Sequence, residues 1–101
     1  MKLFVQSLNF NSDKKLIDFV EGKVKVLERY HDKIIGAYLF LKVQRTSDKE
    51  NKNTELKINI PGSELIVKRE SKSFEEGVSL AVDSMKRQLK KIKQKERQLY
   101  Y

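Results

Sequence analysis

The chain has no cysteine and no tryptophan, one proline, four glycines and a single histidine among 101 residues. Without cysteine there can be no disulfide framework, no thiolate nucleophile and no sulfur-ligated metal. A metal would need oxygen ligands and one imidazole, with no recognisable loop to hold it. That imidazole, His31 in Tyr30-His31-Asp32-Lys33, falls at the expected end of the first helix. There it is expected to satisfy terminal carbonyls and the helix dipole. There is no Ser/His/Asp order, no Gly-rich phosphate loop and no pair of acids at fixed spacing. Neither an enzyme nor a cofactor is expected. No apolar run approaches the roughly 18–20 residues that span a bilayer, and Met1–Gln6 turns polar too early for a signal peptide. The expectation is one cytoplasmic domain over 1–101 with an anionic partner and no membrane contact.

What the chain does have is positive charge in one place. Its net +8 is concentrated in Lys86–Arg97, where seven Lys or Arg face one acid, Glu96, for +6. The other eighty-nine residues hold fifteen bases and thirteen acids, +2. This run is the second half of a stretch, 73–97, that reads as one helix. Phe74, Val78, Val82, Met85, Leu89 and Ile92 keep the three- and four-residue spacing of a helix lying on a core. Ser73 with Glu76 forms a capping box at its start. At 1.5 Å per residue the helix is roughly 37 Å long, more than a small sheet supports. Its basic end is expected to project past the sheet or run along its rim.

Upstream, Lys2–Asn9 alternates as a strand, with Leu3, Val5 and Ser7 opposite Phe4, Gln6 and Leu8. Ser12 is expected to cap a helix with Asp13 in its first turn, and Leu16, Phe19/Val20, Val24 and Leu27 carry it to about Tyr30. Ile34–Arg45 alternates again, with Ala37, Leu39, Leu41 and Val43 on one face and Tyr38, Phe40, Lys42 and Gln44 on the other. Thr46–Asn53 has no apolar residue and is expected to be a solvated loop. Thr54–Ile60 and Glu64–Glu70 are strands joined by Pro61-Gly62-Ser63. The order β-α-β-β-β-α predicts a two-layer α+β sandwich. Its four-stranded sheet carries two helices on one face, an outline like that of double-stranded-RNA-binding domains.

The basic run lacks the acidic partners at i,i+4 that a solubilising face would have, as helix 1 has among Lys14–Glu28. By spacing, Lys86, Lys90, Lys93 and Arg97 lie on one side and Arg87, Lys91 and Lys95 on the neighbouring one. Mostly lysine, they suit phosphates rather than base edges, so backbone-directed binding with steep salt dependence is expected. RNA is favoured over DNA, since no helix-turn-helix, zinc finger or basic zipper is visible. Tyr38 and Phe40 could stack on bases, but read better as cross-strand neighbours of Phe4 or Ile66. The tail Leu99-Tyr100-Tyr101 reads as frayed or as a small contact element.

Two stretches go beyond pattern. Leu56–Lys68 with its Pro61-Gly62-Ser63-Glu64-Leu65 turn, and Val82-Asp83-Ser84-Met85-Lys86-Arg87-Gln88-Leu89-Lys90-Lys91-Ile92-Lys93, resemble the ribosome hibernation-promoting factor family. This is also called the protein Y or sigma-54 modulation family. The resemblance covers the whole chain. It implies binding to the small ribosomal subunit at the decoding region, across the mRNA, A-site and P-site tRNA path, silencing translation in stationary phase. Carried over by position, it places rRNA contacts on Lys86, Arg87, Lys90, Lys91, Lys93 and Lys95, with Lys23 and Lys25 of helix 1 adding to them. The chain departs from the family pattern at Ser63, where a turn glycine is usual, at Ser79 and at Ile92. The resemblance is to the short form, without the second domain of long members, and a monomer off the ribosome is expected. Two other readings are a regulatory protein-interaction module, such as a transcription-factor modulator, and a generic structured-RNA-binding module.

Overall fold

Alternation and spacing translate into four strands and two helices. A computed structural model describes residues 1–44 and 51–98. The elements are β1 (Lys2–Leu8), α1 (Lys14–Lys25), a 3₁₀ turn (Val26–Arg29), β2 (Gly36–Val43), β3 (Lys52–Ile60), β4 (Ser63–Ser71) and α2 (Phe74–Gln98). The sheet runs β1-β2-β3-β4. β1 pairs parallel to β2, as a strand returning through α1 must, and the remaining pairs are antiparallel. The two-layer α+β architecture is as expected.

The inward parity of the strands supplies one side of the core: Ala37, Leu39, Leu41, Leu56, Ile58, Ile60 and Val67 are buried. The helices supply the other, with Leu16, Val20, Val24 and Leu27 from α1 and the following turn, and Phe74, Val78, Val82, Met85 and Leu89 from α2. Phe10 stacks on Phe74, ring centroids 4.6 Å apart, closing the core at the start of α2. Pro61 and Gly62 form the β3–β4 turn. Proline holds φ near −65° and Gly62 takes φ 76°, the combination a type II turn requires.

Several boundaries differ from the sequence reading, four of them as follows. Asp13, not Ser12, caps α1: its Oδ1 accepts from the Leu16 amide at 2.8 Å, while the Ser12 hydroxyl is bonded to that of Ser7. The regular α-helix ends at Lys25 and tightens into the 3₁₀ turn before Tyr30. β2 stops at Val43, and Arg45 lies outside the described residues. β3 begins at Lys52, two residues early, because Lys52 and Asn53 are paired on both sides, with Val43 and Lys42 of β2 and with Ser71 and Glu70 of β4. Pairing on both edges holds these polar residues in the strand without an apolar partner. The rest of the expected loop, 46–50, and the tail Leu99–Tyr101 lie outside the described residues. Ser73 caps α2 as expected, its Oγ accepting from the Glu76 amide at 3.2 Å.

One close approach sets the seat of α2. Gly77 is buried against β3 and β4, where a Cβ would stand 2.6 Å from Thr54 Oγ1 and 2.7 Å from Ser71 Oγ. Only glycine lets the first turns of the helix lie that low on the sheet.

Candidate nucleic-acid interface

The apolar stripe of α2 is spent on the core, and that fixes where the basic residues point. At about 100° per residue, they divide between two flanks. Lys86 and Lys90 lie on the flank towards the 3₁₀ turn, their Nζ atoms 5.7 and 5.5 Å from the centroid of Tyr30. Lys93 continues that row and reaches Asp32 Oδ1 at 4.0 Å. Arg87 and Lys91 lie on the opposite flank and line a groove against β4. Lys95 is exposed near the helix end. The two rows expected from spacing are thus two different surfaces.

Two of these cations are partly neutralised from outside the run. Lys86 Nζ is 3.8 Å from Asp83 Oδ1, and Lys93 pairs with Asp32. Neither pair has the i,i+4 spacing: one is i,i+3 and the other comes from outside the helix. Among the described residues, Arg87, Lys90, Lys91 and Lys95 have no carboxylate within ion-pair distance. Lys90 spends its charge only on a neutral ring, which leaves it available to an anion.

His31 also differs from its expected role. It is buried, 4% exposed, and caps no helix carbonyl among the described residues. Its Nδ1 accepts from the Lys33 amide at 3.1 Å, so the ring proton of the neutral imidazole sits on Nε2 and is donated to Glu96 Oε1 at 3.2 Å. The lone acid of the basic run, itself half exposed, therefore ties the far end of α2 to the turn before β2. The basic end runs over this rim of the fold instead of projecting freely.

Lys23 and Lys25 flank the buried Val24, so they stand on opposite sides of α1. Lys23 lies 5.8 Å over the ring of Phe19 in its own helix, and Lys25 is exposed. The two therefore do not share one surface of α1.

Tyr38 and Phe40 lie on the sheet face away from the helices. Tyr38 stacks on its cross-strand partner Phe4 at 5.1 Å, and Lys57 of β3 lies 5.1 Å over the same ring. Phe40 is flanked by Gln6 and Glu55. This is the cross-strand reading of the two aromatics, with Phe4 as the neighbour. Ile66 is one strand further along the same row, opposite Lys57.

Sequence reasoning passed over Arg69, Lys68 and Ser84, which share the groove with Arg87 and Lys91. The signal was present: Arg69 occupies the inward parity of β4, alternating with Leu65, Val67 and Ser71. A charge in a buried register needs a partner, and here it is Ser84 of α2. Among the described residues no three acids or histidines gather as a metal site, and no helix is long and apolar enough to cross a membrane.

Known proteins resemble this chain in sequence and in fold. The ribosome hibernation promoting factor of Pseudomonas putida is 27% identical over 99 residues, covering 98% of this chain and 93% of the relative. That of Escherichia coli K12 is 28% identical over 98 residues, covering 97% and 99%. That of Azotobacter vinelandii is 31% identical over 84 residues, covering 83% and 73%. In fold, the chain resembles the Thermus thermophilus protein Y N-terminal domain, with a TM-score of 0.78 at 24% identity over 91% of this chain and 99% of that one. It also resembles a ribosomal subunit interface protein from Coxiella burnetii, with a TM-score of 0.80 at 20% identity over 92% and 98%. Residues 3–97 match the sigma 54 modulation protein / S30EA ribosomal protein family as a whole, and the chain belongs to that family.

Proposed function

We propose that the chain is a ribosome hibernation factor. It is a non-enzymatic cytoplasmic protein that seats on the small ribosomal subunit at the decoding region and blocks the mRNA and tRNA sites by occupying them. One observation carries the reading. Arg87, Lys90, Lys91 and Lys95 stand without carboxylate partners, among the described residues, on a helix whose apolar stripe is committed to the core. Such an array is held rigidly and repels itself, and neutralisation by a phosphate backbone relieves it. The full-length likeness to hibernation promoting factors supports the same reading.

Lys86 and Lys93 take part from the Tyr30 flank, exchanging a carboxylate for a phosphate, and Lys23 and Lys25 add contacts from α1. Mostly lysine, the surface recognises backbone shape, and the chain acts as a monomer. Sedimentation of a stationary-phase lysate tests the proposal. At low salt the protein is expected with small subunits and in nuclease-sensitive association. Recovery at the top of the gradient, or in a stoichiometric protein complex that survives nuclease, would refute it.

A further inference from the structure

The groove between β4 and α2 holds an arrangement that general charge does not account for. Two guanidinium groups converge on one buried hydroxyl: Arg69 Nη2 donates to Ser84 Oγ at 2.5 Å and Arg87 Nη2 donates to the same oxygen at 3.1 Å. Ser84 is 7% exposed, and a hydroxyl oxygen has two lone pairs, so both are taken. Arg69 is fixed a second time, its Nη1 donating to the Lys68 carbonyl at 2.8 Å. Lys91 and Gln88 close the same cavity, which is about 320 Å³ and open to solvent.

Like charges do not gather round a neutral atom without cost. Neither arginine has a carboxylate partner among the described residues, and the one acid near Lys68 is Glu55 at 3.9 Å, on the other face of the sheet. Each guanidinium carries five donors, of which Arg69 spends two and Arg87 one in these bonds. The remaining donors of two planar forks, pinned about a common point, suit a tetrahedral oxyanion held by two arginines.

We propose that Arg69 and Arg87, pinned by Ser84, form a phosphate clamp between β4 and α2, with Lys91 at its mouth. The ligand is a phosphate group. Its source is taken to be the backbone of the RNA bound by α2, and in that respect the clamp rests on the proposed function. The clamp would set the register of the RNA against the sheet edge, as a fixed bidentate contact does and a mobile lysine does not.

Two experiments separate the clamp from the function it rests on. The first titrates inorganic phosphate into ¹⁵N-labelled protein at constant ionic strength, with chloride as the balancing anion. Saturable shifts of the Arg69 and Arg87 side-chain N–H signals and of the Ser84 amide are expected. Binding should weaken at least tenfold in Arg69→Gln, with Arg69→Lys, which keeps charge but not the fork, in between. Shifts no larger than those with chloride, or wild-type binding in Arg69→Gln, would overturn the clamp. The wild-type titration decides this even if a variant is unstable.

The second experiment measures binding of wild type and Arg69→Gln to purified small subunits across a salt series. A several-fold loss of affinity with a shallower salt slope is expected. Unchanged affinity alongside a saturable phosphate site would overturn the RNA source and leave a free-phosphate site. Failure of wild type to bind subunits would refute the proposed function, and the phosphate titration would still decide the clamp.

Discussion

The division of the α2 bases into carboxylate-paired and unpaired residues predicts that equal charge removals have unequal effects. The perturbations are two double variants, Lys90→Gln with Lys91→Gln, and Lys86→Gln with Lys93→Gln. Each removes two positive charges from the same helix. Lys90 and Lys91 have no ion pair among the described residues, so a phosphate that meets them releases its counterion outright. Each such contact contributes about −0.9 to the slope of log K against log salt for a duplex, or about −0.7 for a single strand. Two contacts therefore amount to about 7- to 12-fold of the affinity lost between roughly 50 and 200 mM salt. Lys86 and Lys93 must first leave Asp83 and Asp32, at 3.8 and 4.0 Å. The abandoned carboxylate then recruits a cation, which cancels much of the release. Such surface pairs are themselves worth only about 0–1 kcal/mol, so the stability of either variant should stay close to wild type.

The assay is equilibrium binding to purified small subunits at four or more salt concentrations, with a thermal melt as control. The Lys90/Lys91 variant should lower the slope by about 1.4–1.8 and the Lys86/Lys93 variant by less than half as much. Equal slopes for the two, both folded, would refute the argument that intramolecular pairing decides which lysines address the RNA.

Three further outcomes concern the scaffold. Gly77→Ala should destabilise the protein although alanine favours helix by about 1 kcal/mol; its Cβ would meet Thr54 and Ser71 oxygens at 2.6 and 2.7 Å, and overpacking costs about 1–3 kcal/mol. A melt checks this, and adding Thr54→Ala should recover part of the loss, since the Thr54 hydroxyl has no hydrogen-bond partner among the described residues. His31→Ala should cost about 1–3 kcal/mol by leaving the Lys33 amide unpaired and should speed amide exchange over the last turns of α2, whereas Glu96→Gln should change little, since its amide oxygen still accepts from Nε2. Leu89→Ala should cost about 2–5 kcal/mol in denaturant unfolding, and Ile92→Ala clearly less, because Ile92 is only partly buried.

The fold was legible because its signals are local. Alternation over Ala37–Val43 and three-and-four spacing over Phe74–Leu89 are set by the geometry of strand and helix and need no tertiary knowledge. What escaped was decided by partners distant in sequence. Ser12 is as good a cap as Asp13 until Ser7 takes its hydroxyl. Lys52 and Asn53 look like loop until β2 and β4 are known to flank them. His31 looks like a helix-end residue until Glu96, sixty-five positions away, arrives at its Nε2. The basic rows of α2 were readable from spacing, as was the Asp83–Lys86 pair at i,i+3, but the damping of Lys93 was not, because Asp32 lies outside the helix. Arg69 was readable in principle, as a charge on the buried parity of an edge strand.

These long-range contacts also give the basic helix a direction that its charge lacks. On the flank towards the 3₁₀ turn, Asp32, Asp83 and the face of Tyr30 absorb part of the field of Lys86, Lys90 and Lys93. On the flank towards β4, Arg87 and Lys91 are joined by Arg69, and no acid within ion-pair distance faces the two arginines among the described residues. Cations without a carboxylate partner among the described residues therefore gather along the β4 groove. A polyanion should settle there first, with the helix axis as its guide and the Tyr30 flank as a second, weaker rail. That flank does a different job. Glu96 is the only acid in the basic run, and its bond to His31 holds the end of α2 on the fold after the apolar stripe has thinned at Ile92. Without that tie the last turns would be free to fray, and the charges beyond Leu89 would lose their fixed spacing. One hydrogen-bond acceptor within the basic run thus keeps the positive charges in register.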